Sequence, residues 1–198
     1  IKLNTTKQKL HGDVHTPVAT YLKVRDVYPN SILLESSDYH GDEHSFSYIC
    51  CDHIAKFVVQ DDKITVDLPG QKQTVTSIGE KSEVLAALQG FYKNFDAEDT
   101  IDGLVCNGVF GYTSYDAVKY FEDVEIDTFE DDSRKIPEMI YHVYRNVIVF
   151  NHFNDEMIVF NHSLDNQESN ISEVVSILNK KDFISYDFNT KDDVTSNI

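Results

Sequence analysis

Long apolar runs, clustered basic charge and a cysteine framework are all missing from this sequence. None of its 198 residues falls in an apolar stretch of 18, so no helix is expected to span a bilayer. Residues 1–13 are polar and lack the apolar core of a signal peptide. Lys and Arg number 17 against 34 Asp and Glu, a formal charge of −17. That balance argues against an electrostatic footprint on nucleic acid or on an anionic membrane. Three cysteines, two of them the neighbours Cys50 and Cys51, lack disulfide or zinc spacing. They read as buried thiols of a reducing cytosol. There is no G-x-S-x-G, no HExxH, no Gly-Lys-Ser/Thr loop and no evident catalytic carboxylate pair. What the chain does have is 41% apolar and 12% aromatic residues, ample for a packed core. The expectation is a soluble, cytoplasmic, globular chain.

Thr16-Pro17 opens the first expected helix, with Thr as N-cap and Pro carrying a preset φ. Val18, Tyr21, Leu22, Val24 and Tyr28 follow at helical spacing, and Pro29-Asn30 ends the run. Residues 31–36 read as a short buried strand and 38–43 as a hairpin loop. Residues 45–51 and 54–59 read as two strands, rich in aromatic and β-branched side chains. Residues 63–68 alternate apolar with polar, and Pro69-Gly70 turns the chain. Val84, Leu88, Phe91 and Phe95 mark a helix over 82–95. The Gly-rich segment 103–112 reads as a strand approached closely by another backbone, 114–121 as a short helix, and 122–132 as an acidic solvated loop. Residues 139–150 and 156–161 form the clearest hairpin, turning at Asn154-Asp155. Ile171, Val174, Val175 and Leu178 mark a last amphipathic helix, and Ile184, Tyr186 and Phe188 a final strand. The sum is an α+β fold: antiparallel, β-sandwich-like sheets packed face to face and flanked by helices.

Eight histidines invite a metal reading. His152 and His162 sit in near-identical contexts, V-F-N-H at 149–152 and at 159–162. A turn centred on Asn154-Asp155 sets His162 opposite Val147, about 17 Å along the strand from His152 at ~3.3 Å per residue. That is too far to share a metal. His40 and His44, with Asp38, Asp42 and Glu43, fall in a loop whose better reading is a solvated one. Cys50-Cys51 lacks the C-x-x-C spacing, and His53 is poorly placed to lower either thiol's pKa. Gly108-Val109-Phe110-Gly111-Tyr112 lacks the third glycine and the cations of a phosphate cradle, so tight strand packing explains its glycines better. On composition and spacing alone, no active site stands out.

Several segments taken together resemble the N-terminal domain of anthranilate synthase component I. Residues 16–25, T-P-V-A-T-Y-L-K-V-R, are similar to the family's T-P-V-x-x-Y-L-K-L-R. L-L-E-S at 33–36 matches its L-L-E-S element, and S-F-S-Y-I at 45–49 its R-Y-S-F-I strand except at the Arg. G-V-F-G-Y-T-S-Y-D at 108–116, with Y-F-E at 120–122, resembles G-x-V-G-Y-x-S-Y-D…Y-F-E. V-I-V-F-N-H at 147–152 resembles V-I-V-F-D-H, and S-N at 196–197 the dipeptide that introduces the family's second half.

The resemblance implies a regulatory domain over residues 1–188, with the polar tail 189–198 leading to a catalytic half that this chain lacks. The whole enzyme is a lyase making anthranilate from chorismate in tryptophan biosynthesis. Magnesium belongs to the other half, so no cofactor and no catalytic residue is expected in this chain, and the chain alone is expected to be inactive. The implied partners are the catalytic half, a glutamine amidotransferase subunit, and L-tryptophan as feedback inhibitor. Carried over, the tryptophan-contacting residues are Leu34, Glu35 and Ser36. Glu35 suits an ammonium, Ser36 either end of a zwitterion, and the strand faces an indole. Phe46 and Ser47 stand where some members place a basic residue, with His44 and Lys56 as substitutes. Two other readings stay open: the matching domain of aminodeoxychorismate synthase component I, and a scaffold that docks the catalytic half and the amidotransferase.

Overall fold

The computed structural model describes residues 1–35, 45–124, 136–165 and 167–180. The loop expected at 38–43, Ser36, His40, His44, most of the acidic stretch, the strand expected near Ile184 and the tail lie outside the described residues.

Helix α1 (Pro17–Arg25) begins as its sequence dictates. The Thr16 hydroxyl accepts the Ala19 N–H at 3.2 Å, with Pro at the first helical position. It ends at Arg25, and a closing turn follows in which the N–H groups of Val27 and Tyr28 share the Val24 carbonyl before Pro29 ends the run. Asn30 then takes a left-handed φ of 62°, which Asn tolerates better than most residues. Lys23 donates to the carbonyls of Leu178 and Lys180, both at 2.7 Å. A cation thereby satisfies the end of α3 (Ile171–Leu178).

Eight strands join one antiparallel ladder: β1 (Leu3–His11), β2 (Ile32–Glu35), β3 (Phe46–Gln60), β4 (Lys63–Asp67), β5 (Thr74–Ser77), β8 (Phe110–Thr113), β9 (Met139–Asn151) and β10 (Glu156–Leu164). Between β5 and β8 lie helix α2 (Ser82–Tyr92) and a two-stranded hairpin, β6 (Thr100–Ile101) and β7 (Leu104–Val105). The main order is β1-β10-β9-β3-β4-β5, with β2 beside β3 and β8 beside β9. The class is α+β and antiparallel, as the sequence implies. The two sheets it implies are joined rather than separate, because β3 and β9 are long enough to carry different neighbours along their two halves.

Strand β3 runs unbroken where the sequence suggests two strands. Asp52 adopts φ 59° and the register slips between His53 and Ala55, a bulge that bends the strand without ending it. Asp61 and Asp62, at φ 50° and 52°, form the two-residue turn into β4. Acidic residues thus do here what Asn-Gly does in other hairpins. In the β9–β10 hairpin, Glu156 pairs with Asn151 and Phe160 with Val147, two residues from the expected register. The loop holds four residues, since the Asn151 side chain accepts the N–H groups of Phe153 and Asn154. On the other edge of β10, His162 pairs with Thr5 of β1. Residues 114–121 form a 3-10 helix (Tyr115–Tyr120), and the segment 103–112 divides between β7 and β8.

Three apolar clusters hold the layers. Val84 and Phe91 of α2 pack on Phe57, Val59, Met139 and Val143, with the Phe57 and Phe91 rings 5.7 Å apart. Val24 of α1 and Val174 and Leu178 of α3 cover Ile49, Ile148, Phe150 and Val159. Cys50, Val147, Val149 and Phe160 pack with Leu104 and Cys106. Each large apolar side chain buried this way contributes about 1.5–3 kcal/mol. Between β9, β10 and α3 lies a polar seam. Asn161 donates to Asn146 and Asn170 at 2.7 and 2.6 Å and accepts from Ser169 at 2.7 Å. Asn170 is also the residue immediately before α3.

Candidate functional site

The entry to β2 is pinned by hydroxyls. Tyr144 donates to the Asn30 carbonyl at 2.6 Å, and Ser31 donates to the Tyr28 carbonyl at 2.7 Å. From there Leu33 pairs with Ile49, Leu34 with Tyr48 and Glu35 with Ser47. Because side chains alternate along a strand, Leu34 and Glu35 point to opposite faces. Leu34, 39% exposed, shares its face with Tyr48 and, one step on, Phe46, whose ring lies 6.5 Å from that of Tyr48. Glu35 is exposed and shares its face with Ser47, which is buried. Among the described residues β2 pairs only with β3, so no described strand covers its outer edge.

Ser47 does not stand alone. Its hydroxyl lies 2.7 Å from Nε2 of His152, and the His152 N–H donates to the Ser45 carbonyl at 3.1 Å. The end of β2 therefore offers an apolar face at Leu34, Phe46 and Tyr48, and a polar face at Glu35, Ser47 and His152. Apolar and polar groups on the two faces are the chemistry an amphipathic ligand would need there. Lys56, considered as a basic substitute near Ser47, is nine residues along β3, about 30 Å away at ~3.3 Å per residue. It pairs with His142 and Asp67 instead.

The other sequence candidates resolve into structural roles. His162 lies 2.9 Å from the Thr5 hydroxyl and 2.7 Å from the Cys106 carbonyl, so it ties β10 to β1 and to the segment after β7. No group of three or more His, Cys, Asp or Glu that could hold a metal occurs among the described residues. All three cysteines are free and buried. Burial pushes the Cys50 and Cys51 thiols far up and that of Cys106 up to about 11, so none is a ready nucleophile. His53 packs edge-on against His142, with ring centroids 4.8 Å apart. At Gly111 an added Cβ would meet the Ile140 carbonyl oxygen at 1.9 Å, the close backbone approach expected of this segment.

Sequence reasoning missed the Ser47–His152 contact and the buried His142. Both depend on cross-strand register. The repeat that drew attention to His152 said nothing about its neighbour on β3.

No described helix is long and apolar enough to cross a membrane. No family model matches the chain. Among curated proteins the chain is similar to anthranilate synthase component 1 of Thermus thermophilus, with 29% identity over 144 residues. That alignment covers 71% of this chain and 28% of that protein. It is also similar to anthranilate synthase component 1 of Lactococcus lactis, at 23% identity over 162 residues, covering 82% of this chain and 33% of that one. The chain thus spans about a third or less of the curated relatives it matches. Among solved structures it is similar to anthranilate synthase component I from Streptococcus pneumoniae TIGR4. Identity there is 21% and the TM-score 0.46, covering 85% of this chain and 34% of that one. Over most of its length, and through motifs that occur in the same order, the chain is similar to two curated proteins of one name, anthranilate synthase component 1.

Proposed function

We propose that this chain is the regulatory part of an anthranilate synthase component I and carries its site for feedback inhibition by L-tryptophan. The observation that carries the reading is the ordered run of motifs, together with similarity to two curated relatives over most of the chain. Leu34, Glu35 and Ser36 are the proposed contacts: an apolar surface for the indole, a carboxylate for the ammonium and a hydroxyl for the zwitterion. The chemistry on chorismate, with its magnesium, belongs to the remainder of the enzyme; that catalytic half and the glutamine amidotransferase subunit are this chain's proposed partners.

A docking role for part of the surface has its own support. Tyr112, Tyr115 and Phe121, all within or beside the shared G-Y-x-S-Y-D…Y-F-E motif, are 40%, 85% and 46% exposed. Aromatic side chains that fill no core here suit a contact with the rest of such an enzyme.

Anthranilate fluorescence provides the test, with chorismate, magnesium and ammonia supplied. The purified chain should give no turnover above the blank, and a whole enzyme containing it should turn over and be inhibited by L-tryptophan. Turnover by the chain alone, or a whole enzyme indifferent to tryptophan, would overturn the reading.

A further inference from the structure

We infer that His152 completes the polar side of the proposed site, donating from Nδ1 to the carboxylate of a bound α-amino acid whose ammonium is taken by Glu35. The inference rests on the reading above that the β2 end binds an amino acid, and it adds a residue that the motif L-L-E-S does not contain. Three observations carry it.

Glu35 and Ser47 are directly opposed across β2 and β3, which sets their Cβ atoms about 4.5–5.5 Å apart on one face. His152 reaches the same Ser47 from the other side, 2.7 Å from its hydroxyl. A carboxylate and an imidazole therefore flank a single small residue. An α-amino acid, which carries ammonium and carboxylate on one carbon, presents two opposite charges at that scale.

The second observation is the placement of the proton. Ser47 is 1% exposed, and His152 Nε2 is its hydroxyl's one side-chain partner among the described residues. A buried hydroxyl needs an acceptor, so Ser47 donates to Nε2 and the neutral ring carries its hydrogen on Nδ1. A protonated ring carries a hydrogen on both nitrogens. In either state Nδ1 is a donor.

The third is availability. His152 and Glu35 are exposed, and neither Nδ1 nor the Glu35 carboxylate has a hydrogen-bond partner among the described residues. The bond from its backbone N–H to Ser45 fixes the His152 main chain and the bond to Ser47 holds one end of the ring, so less freedom remains to be lost on binding. Ser47 acts as a positioning residue and does not itself need to touch the ligand.

The test is a titration of the chain with L-tryptophan, followed by NMR through the histidine ring signals, which reads millimolar as well as micromolar binding. His152→Phe keeps an aromatic ring without a donor, and Ser47→Ala frees the ring without removing it. His152→Phe should weaken L-tryptophan about tenfold, equivalent to about 1.4 kcal/mol, and Ser47→Ala should weaken it less. Tryptamine, which has no carboxylate, should bind wild type and His152→Phe equally, and indole-3-propionate, which has no ammonium, should be indifferent to Glu35→Gln. Unchanged L-tryptophan affinity in His152→Phe, or a parallel loss for tryptamine, would remove His152 from the site while leaving the site itself standing. Absence of a saturable shift in the wild-type chain would remove both.

Discussion

Replacing Gly111 by alanine is expected to destabilise the protein by about 3 kcal/mol, the upper part of the range for forcing atoms into a packed interior. Gly111 lies in β8 opposite Tyr141 of β9. Its missing side chain is what allows the approach, since an added Cβ would sit 1.9 Å from the Ile140 carbonyl oxygen and 2.8 Å from its carbon. Backbone cannot move aside as a flexible side chain can, so β8 must shift or detach from β9. Gly90 is the control. It lies in α2, exposed, with nothing within 4 Å of its would-be Cβ. Alanine there should stabilise by about 0.5–1 kcal/mol, through helix propensity and a less flexible unfolded chain. Urea unfolding of the three proteins, read as midpoints at equal slope, checks both signs. A Gly111→Ala protein as stable as wild type would show that β8 does not approach β9 this closely.

Lowering the pH from 7 toward 4.5 should destabilise the protein, and His142 should account for much of the effect. It lies in β9 between Lys56 of β3 and Phe110 of β8, 4% exposed, with no described hydrogen-bond partner for Nε2. Burial, reinforced by His53 and Lys56 nearby, lowers its pKa to about 4. Burial also lowers His53 and His162, which act in the same sense. The native state keeps the ring neutral while the unfolded state takes up a proton near pH 6.5. Unfolding therefore binds protons. The stability this group contributes is complete above pH 6.5 and is lost as pH falls toward 4, an amount on the order of 3 kcal/mol. Unfolding free energies at pH 7.5 and pH 4.5 should differ by clearly less in His142→Leu than in wild type, whatever the variant's absolute stability. Equal differences would place the acid sensitivity elsewhere.

What was legible in the sequence is what local chemistry decides. Thr16-Pro17 starts a helix wherever an apolar face follows, and the β9–β10 hairpin and α3 declare themselves by alternation and by helical spacing. Strand β1 was not legible, because its side chains are mostly polar and exposed and its strand character comes from pairing with β10 along nine residues. The four exposed residues of β5 are silent for the same reason. The break expected near His53 is a bulge, which depends on Asp52 tolerating a left-handed backbone and on β9 continuing beside it. For the candidate site, sequence supplied Leu34, Glu35 and Ser36 through resemblance. It did not show that Leu34 and Glu35 face opposite ways, or that His152 returns to Ser47 across 105 residues of chain. Pairing between distant strands decides such contacts, and one strand's sequence does not encode its neighbour's register.

The central claim, that the end of β2 carries a tryptophan feedback site, is tested most directly by an inhibition curve. The whole enzyme containing this chain is assayed for anthranilate formation against rising L-tryptophan, for wild type and Ser36→Ala, each scaled to its own uninhibited rate. Loss of a hydrogen bond to a charged group is worth about 1.5–3 kcal/mol, so the half-inhibiting concentration should rise about tenfold or more in Ser36→Ala. Superimposable curves would contradict the account and place the site elsewhere.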